Sequence, residues 1–68
     1  MDINFAEAIL QLRSKLNLSQ EGLASLLGVS FTSVNRWENG KHEPTKLAKV
    51  KIIKLLKENE IEIEEVKN

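Results

Sequence analysis

The stretch Gln20–Lys41, QEGLASLLGVSFTSVNRWENGK, constrains the fold more than any other part of this chain. Leu23, Ala24 and Leu27 fall at i, i+1 and i+4, which gives a short apolar stripe on one helix. Gly28 follows where a helix end most easily takes a left-handed residue. Ser30 can then cap a second helix through its hydroxyl. Val34 and Trp37, three apart, turn the buried side of that helix toward the first. A small residue at Ala24 lets the two helices cross closely, and Val34 fills the angle between them. The pattern predicts helices over about Gln20–Leu27 and Phe31–Glu38, joined by a tight turn and ended by Asn39-Gly40.

The flanks extend this pair into a bundle. Asn4 with Glu7 three residues on has the form of a capping box, so a helix starts near Phe5. Phe5, Ile9, Leu12 and Leu16 follow helical spacing and define its buried face. Arg13 lies angularly between Ile9 and Leu16, an odd place for a long charged side chain. After the loop Lys41-His42-Glu43-Pro44, Thr45 caps a last helix, TKLAKVKIIKLLKEN. Its core stripe is Ala48, Ile52, Leu55 and Leu56. Leu47 flanks that stripe, while Val50 and Ile53 fall outside it and suggest a second contact, with a partner subunit or the chain's own tail. The expected fold is all-α, with four main helices and room for a short fifth element.

These residues resemble the Cro/C1-type (XRE) helix-turn-helix family of bacterial and phage DNA-binding proteins. The resemblance rests on Leu-Ser-Gln-Glu-Gly-Leu-Ala at 18–24, Leu-Gly-Val-Ser at 27–30, Val34, Trp-Glu-Asn-Gly-Lys at 37–41, Pro44 and, upstream, Arg13. It covers roughly residues 5 to 57 and implies a lambda-repressor-like bundle. Gly22 departs from the family's usual acidic or helix-favouring residue, at a cost of about 0.5–1 kcal/mol of helix propensity. The resemblance implies that Arg13 pairs with Glu38, a structural role preferred to direct DNA contact. It also implies an α-helical reading head at residues 31–38. Base readers then map to Phe31, Thr32 and Arg36, with Ser33 on a base or a phosphate. Arg36 can bond guanine O6 and N7 together, and Asn35 has the chemistry to do the same for adenine if it reaches. Phe31 has an alternative place, packed back over the end of the preceding helix. Phosphate contacts map to Gln20, at a helix start, and to Ser30, Asn39, Lys41 and His42, with Lys46 beside them.

Composition limits the remaining possibilities. At 68 residues there is room for one domain, and 41% hydrophobic residues suffice for a compact helical core. The absence of cysteine excludes disulfides and cysteine-ligated zinc and fits a reducing compartment. No apolar run approaches a membrane span, and the start of the chain lacks a signal-peptide layout, so a soluble, cytoplasmic protein is expected. Net charge is zero, but residues 1–57 carry nine Lys/Arg against five Asp/Glu, and residues 58–68 carry one Lys against five Glu. Overall neutrality therefore conceals a basic body, residues 1–59 as the DNA-binding domain, and an acidic tail at 60–68. In the tail, Glu60-Ile61-Glu62-Ile63 alternates as a strand would. An irregular end, strand pairing or docking in a dimer, and continued helix remain open for it. Lys49, Lys51, Lys54 and Lys57 read as a solvated helix face.

No nucleophile–base pair, phosphate-binding glycine loop or metal-ligand spacing is present in the sequence, and His42 stands alone. The expectation is a non-enzymatic protein with no cofactor, no metal and no evident small-molecule ligand. Sequence-specific binding of double-stranded DNA for transcriptional regulation follows from the resemblance, with a homodimer on a palindromic operator. The rival is a protein-interaction module, such as an antitoxin or partner subunit, that uses the acidic tail.

Overall fold

The computed structural model describes residues 3–63, which form four helices: α1 Phe5–Leu16, α2 Gln20–Leu27, α3 Phe31–Glu38 and α4 Lys46–Glu58. Each helix starts the same way. Asn4, Ser19, Ser30 and Thr45 sit in extended backbone, and each side chain accepts a hydrogen bond from the amide three residues on. One otherwise unpaired amide per helix is thereby satisfied, which fixes the start to the residue.

The ends are equally uniform. Asn17, Gly28, Gly40 and Glu60 take left-handed backbone, with φ of 54°, 71°, 74° and 54°. In each case the next amide reaches back to the carbonyl five residues earlier: Leu18 to Arg13, Val29 to Ala24, Lys41 to Arg36, and Ile61 to Leu56. These are Schellman closures, and they turn the chain sharply without leaving carbonyls unpaired. Gly28 provides the turn of the helix-turn-helix itself. At Glu60 an ordinary L residue bears the steric penalty of that conformation.

One core forms between the helices. Ala8, Ile9, Leu12, Leu23, Val34 and Ile52 are completely buried, with Phe5, Ala24, Leu27, Trp37, Ala48 and Leu56 nearly so. α1 and α2 each pack against both α3 and α4. Ala24, buried on α2, leaves room for α3 to cross close by. The expected core differs in detail. Leu16 and Leu55 are half-buried and pack at its margin, whereas Ala8 is fully enclosed. Leu16 is the last residue of its helix, where the chain turns away, whereas Ala8 lies in the first half of α1, within the core cluster.

The two outlying residues of α4 separate. Val50 is 60% exposed and Leu47 68%, while Ile53 is partly buried against the core. Ile61 and Ile63 also pack on the core, in a segment that is neither helix nor strand. α4 thus ends at Glu58, the chain turns at Glu60, and the continued-helix reading is excluded at that point. The readings that concern Glu64, Glu65 and Val66 lie outside the described residues. No fifth helix occurs among the described residues.

Candidate nucleic-acid interface

α3 carries its own division of labour. Val34 and Trp37 are buried, the side away from them holds Thr32 and Arg36, both exposed, and Phe31 is exposed at the helix start. Thr32 and Arg36 are four apart and therefore share a face. Arg36 is exposed, and among the described residues no carboxylate pairs with it. Phe31 is 45% exposed at the first position of the helix.

Ser33 and Asn35 are placed differently. Both are half-buried. The Ser33 hydroxyl lies 2.9 Å from that of Ser30, whose oxygen also accepts the Ser33 amide at 3.1 Å. Ser30 is thus occupied in closing the start of α3. Asn35 donates from Nδ2 to Gln20 Oε1 at 3.2 Å, and its Oδ1 accepts from Asn39 Nδ2 at 3.2 Å. Gln20, Asn35 and Asn39 therefore form one chain of amides running from the start of α2 to the end of α3. Asn35, offered as a reader of adenine, and Gln20 and Asn39, which the resemblance and the helix start assign to phosphates, are here bonded to one another.

Lys41 and His42 are exposed in the loop after Gly40. Together with Phe5, Trp37 and Pro44 they line an open cleft of about 320 Å³ between the start of α1 and this loop. Lys46, also exposed, opens α4, whose first turn has no acidic residue to offset it. Two further lysines of α4 are engaged, which corrects the reading of a merely solvated face. Lys49 Nζ lies 2.7 Å from Glu43 Oε2 and 5.2 Å from the centre of the Phe5 ring. Lys51 Nζ donates to the carbonyl of Leu27 at 3.2 Å and so ties α4 to the end of α2. Neither was legible from spacing, because each depends on how α4 crosses another element.

Beneath α3, Arg13 Nη1 reaches both carboxylate oxygens of Glu38, at 2.7 and 2.9 Å. Arg13 Nε also donates to the carbonyl of Leu18 at 3.2 Å. The Glu38 side chain is only 13% exposed and that of Arg13 27%. One guanidinium thus joins α1, the α1–α2 connector and the end of α3.

Among the described residues no group of His, Cys, Asp and Glu side chains gathers to hold a metal. No helix among them is long and apolar enough to cross a membrane.

Two short helices joined by a glycine turn, the second presenting exposed polar side chains outward, define a helix-turn-helix DNA-binding domain. The chain belongs to the helix-turn-helix family of the Cro/C1 type, whose model matches residues 9–64. Members of this family bind double-stranded DNA, and DNA binding in transcription regulation is the function the family defines. The chain is similar to the HTH-type transcriptional activator BcrR of Enterococcus faecalis, at 48% identity over 42 residues. That match covers 62% of this chain and 21% of the relative, so the likeness concerns about a fifth of that protein. No solved structure gives a significant match.

Proposed function

We propose that this domain reads a specific duplex sequence by laying α3 in the major groove. The reading is carried by the outward side of α3, where exposed Thr32 and Arg36 share a face opposite buried Val34 and Trp37. In this reading Arg36 takes guanine O6 and N7, and Thr32 and Phe31 contact a thymine methyl. Ser33, with its hydroxyl on Ser30, reaches a base or phosphate only at the edge of the groove.

Phosphates on the two sides of the groove are held by Gln20 and the free amides of the first turn of α2, and by Ser30, Asn39, Lys41 and His42, with Lys46 alongside. Arg13 and Glu38 touch no DNA; they hold α3 at its angle to α1. Two copies bind a palindromic operator about a two-fold axis, and the exposed Leu47 and Val50 of α4 supply the apolar surface for pairing. Ile53, Ile61 and Ile63 are committed to their own core and contribute less to that surface than their sequence positions suggest.

The test is selection of bound duplexes from a random pool by the purified protein at near-physiological salt. An enriched palindrome is the expected result, and half-sites about one helical turn apart would give the dimer geometry. A pool with no enriched sequence would overturn the proposal.

A further inference from the structure

Asn35 stands at the middle of the amide chain that joins the two helices, and its chemistry sets the orientation of both neighbours. A primary amide has a donor end and an acceptor end, whereas a phosphate oxygen only accepts. By donating to Gln20 Oε1, Asn35 occupies the acceptor end of that side chain and leaves its Nε2 hydrogens for an outside acceptor. By accepting one hydrogen of Asn39 Nδ2, it holds the second donor of that nitrogen in a fixed place. The reverse chain would turn the Gln20 oxygen outward, toward the oxygens of a phosphate, and the two would repel.

From this geometry we infer that Asn35 is a positioning residue: it aims the Gln20 and Asn39 amides, as donors, at phosphates on the two flanks of the groove. The inference rests on the DNA-binding reading of α3 given above. It removes Asn35 from the base readers, because a bidentate grip on adenine needs the remaining Nδ2 hydrogen and the remaining Oδ1 lone pair to face a base edge together, and the bonds to Gln20 and Asn39 already fix the direction of both atoms. Half-burial of Asn35 points the same way, since a base edge must reach the side chain it pairs with. The arrangement also couples the two helices: a shift that parts α3 from α2 lengthens the 3.2 Å contact and releases the Gln20 amide.

The experiment measures affinity for the duplex selected by the wild type, and for every single-base variant of it. The proteins are the wild type, Asn35→Ala, Asn35→Asp, Gln20→Ala and the double variant Gln20→Ala/Asn35→Ala, with thermal unfolding followed in parallel. Asn35→Ala should bind all sequences about 10-fold more weakly with unchanged base preference, as expected for lost charge-assisted contacts to phosphate. Asn35→Asp should be worse than Ala, because a carboxylate draws the Gln20 hydrogens inward and adds negative charge near DNA. In the Gln20→Ala background the Asn35→Ala change should cost much less than in the wild type. A purely structural role would leave these losses additive. Gln20→Ala, at a half-buried helix start outside the core, carries the same test should Asn35 variants unfold: it too must weaken all sequences alike.

Altered preference at one base pair in Asn35→Ala, or full additivity in the cycle, would overturn the inference while leaving DNA binding intact. A wild type that enriches no duplex would overturn both, and so marks failure of the DNA reading itself.

Discussion

Arg13 on α1 and Glu38 at the end of α3 are 25 residues apart, yet one guanidinium nitrogen bonds both oxygens of the carboxylate. The pair is enclosed enough that neither charge is fully hydrated, and no other carboxylate replaces Glu38 in pairing Arg13 among the described residues. Removing a partner from a buried pair typically costs ~3–5 kcal/mol, and partial exposure here reduces that to about 2–3 kcal/mol. Arg13→Ala should lower stability by that amount in urea unfolding, with Leu18 losing its donor as well. A loss under about 0.5 kcal/mol, the scale of a solvent-exposed pair, would show that the contact is not maintained in solution.

The left-handed closures give a second prediction, with opposite signs at two sites. Glu60 adopts φ 54° without the freedom of glycine. Glu60→Gly should therefore stabilise the domain by about 0.5–1 kcal/mol, after allowance for the extra disorder glycine gives the unfolded chain. At Gly28, φ is 71° and an added Cβ would meet only Lys51 Nζ at 3.7 Å, so space is not the obstacle. Gly28→Ala should still cost ~1–2 kcal/mol, because the backbone conformation alone disfavours it. Thermal melts of the two variants moving in the same direction would contradict this account of the turns.

Most of the fold was legible because its boundaries are chemical. Asn4, Ser19, Ser30 and Thr45 are residues whose side chains bond a nearby amide, so sequence position alone marks the helix starts. Gly28 and Gly40 mark two ends for a similar reason. Sequence spacing carries the last helix to Asn59, one residue past its end at Glu58, but shows no sign of the left-handed turn at Glu60, since nothing in a glutamate favours that backbone. Half-burial of Leu16 and Leu55 and full burial of Ala8 depend on how the helices cross, which periodicity does not specify. For the candidate interface, the outward direction of Thr32 and Arg36 follows from Val34 and Trp37 turning inward. That Asn35 bonds Gln20, or that Lys51 bonds Leu27, depends on inter-helix register, so those pairings became visible only in the fold, whereas Asn35 and Asn39 are four apart on one helix and its cap.

Lys41 belongs to the exposed loop after α3 and has no structural partner among the described salt bridges. Lys41→Ala should weaken binding on all duplexes alike and reduce the slope of log affinity against log salt by about 1. Thermal stability should stay unchanged. A variant with altered base preference and an unchanged salt slope would reassign Lys41 from the phosphates to a base edge.

The account turns on Arg36 facing the major groove, and its chemistry can be interrogated from the DNA side. Once the selected duplex is known, each guanine in turn is replaced by 7-deazaguanine, which lacks the N7 acceptor but pairs normally. At one guanine per half-site the wild type should lose ~1–2 kcal/mol of affinity, while Arg36→Ala, already weakened by about 1–3 kcal/mol, should lose nothing further. Equal losses in wild type and variant, or no loss at any guanine, would contradict the placement of α3 as the reading helix.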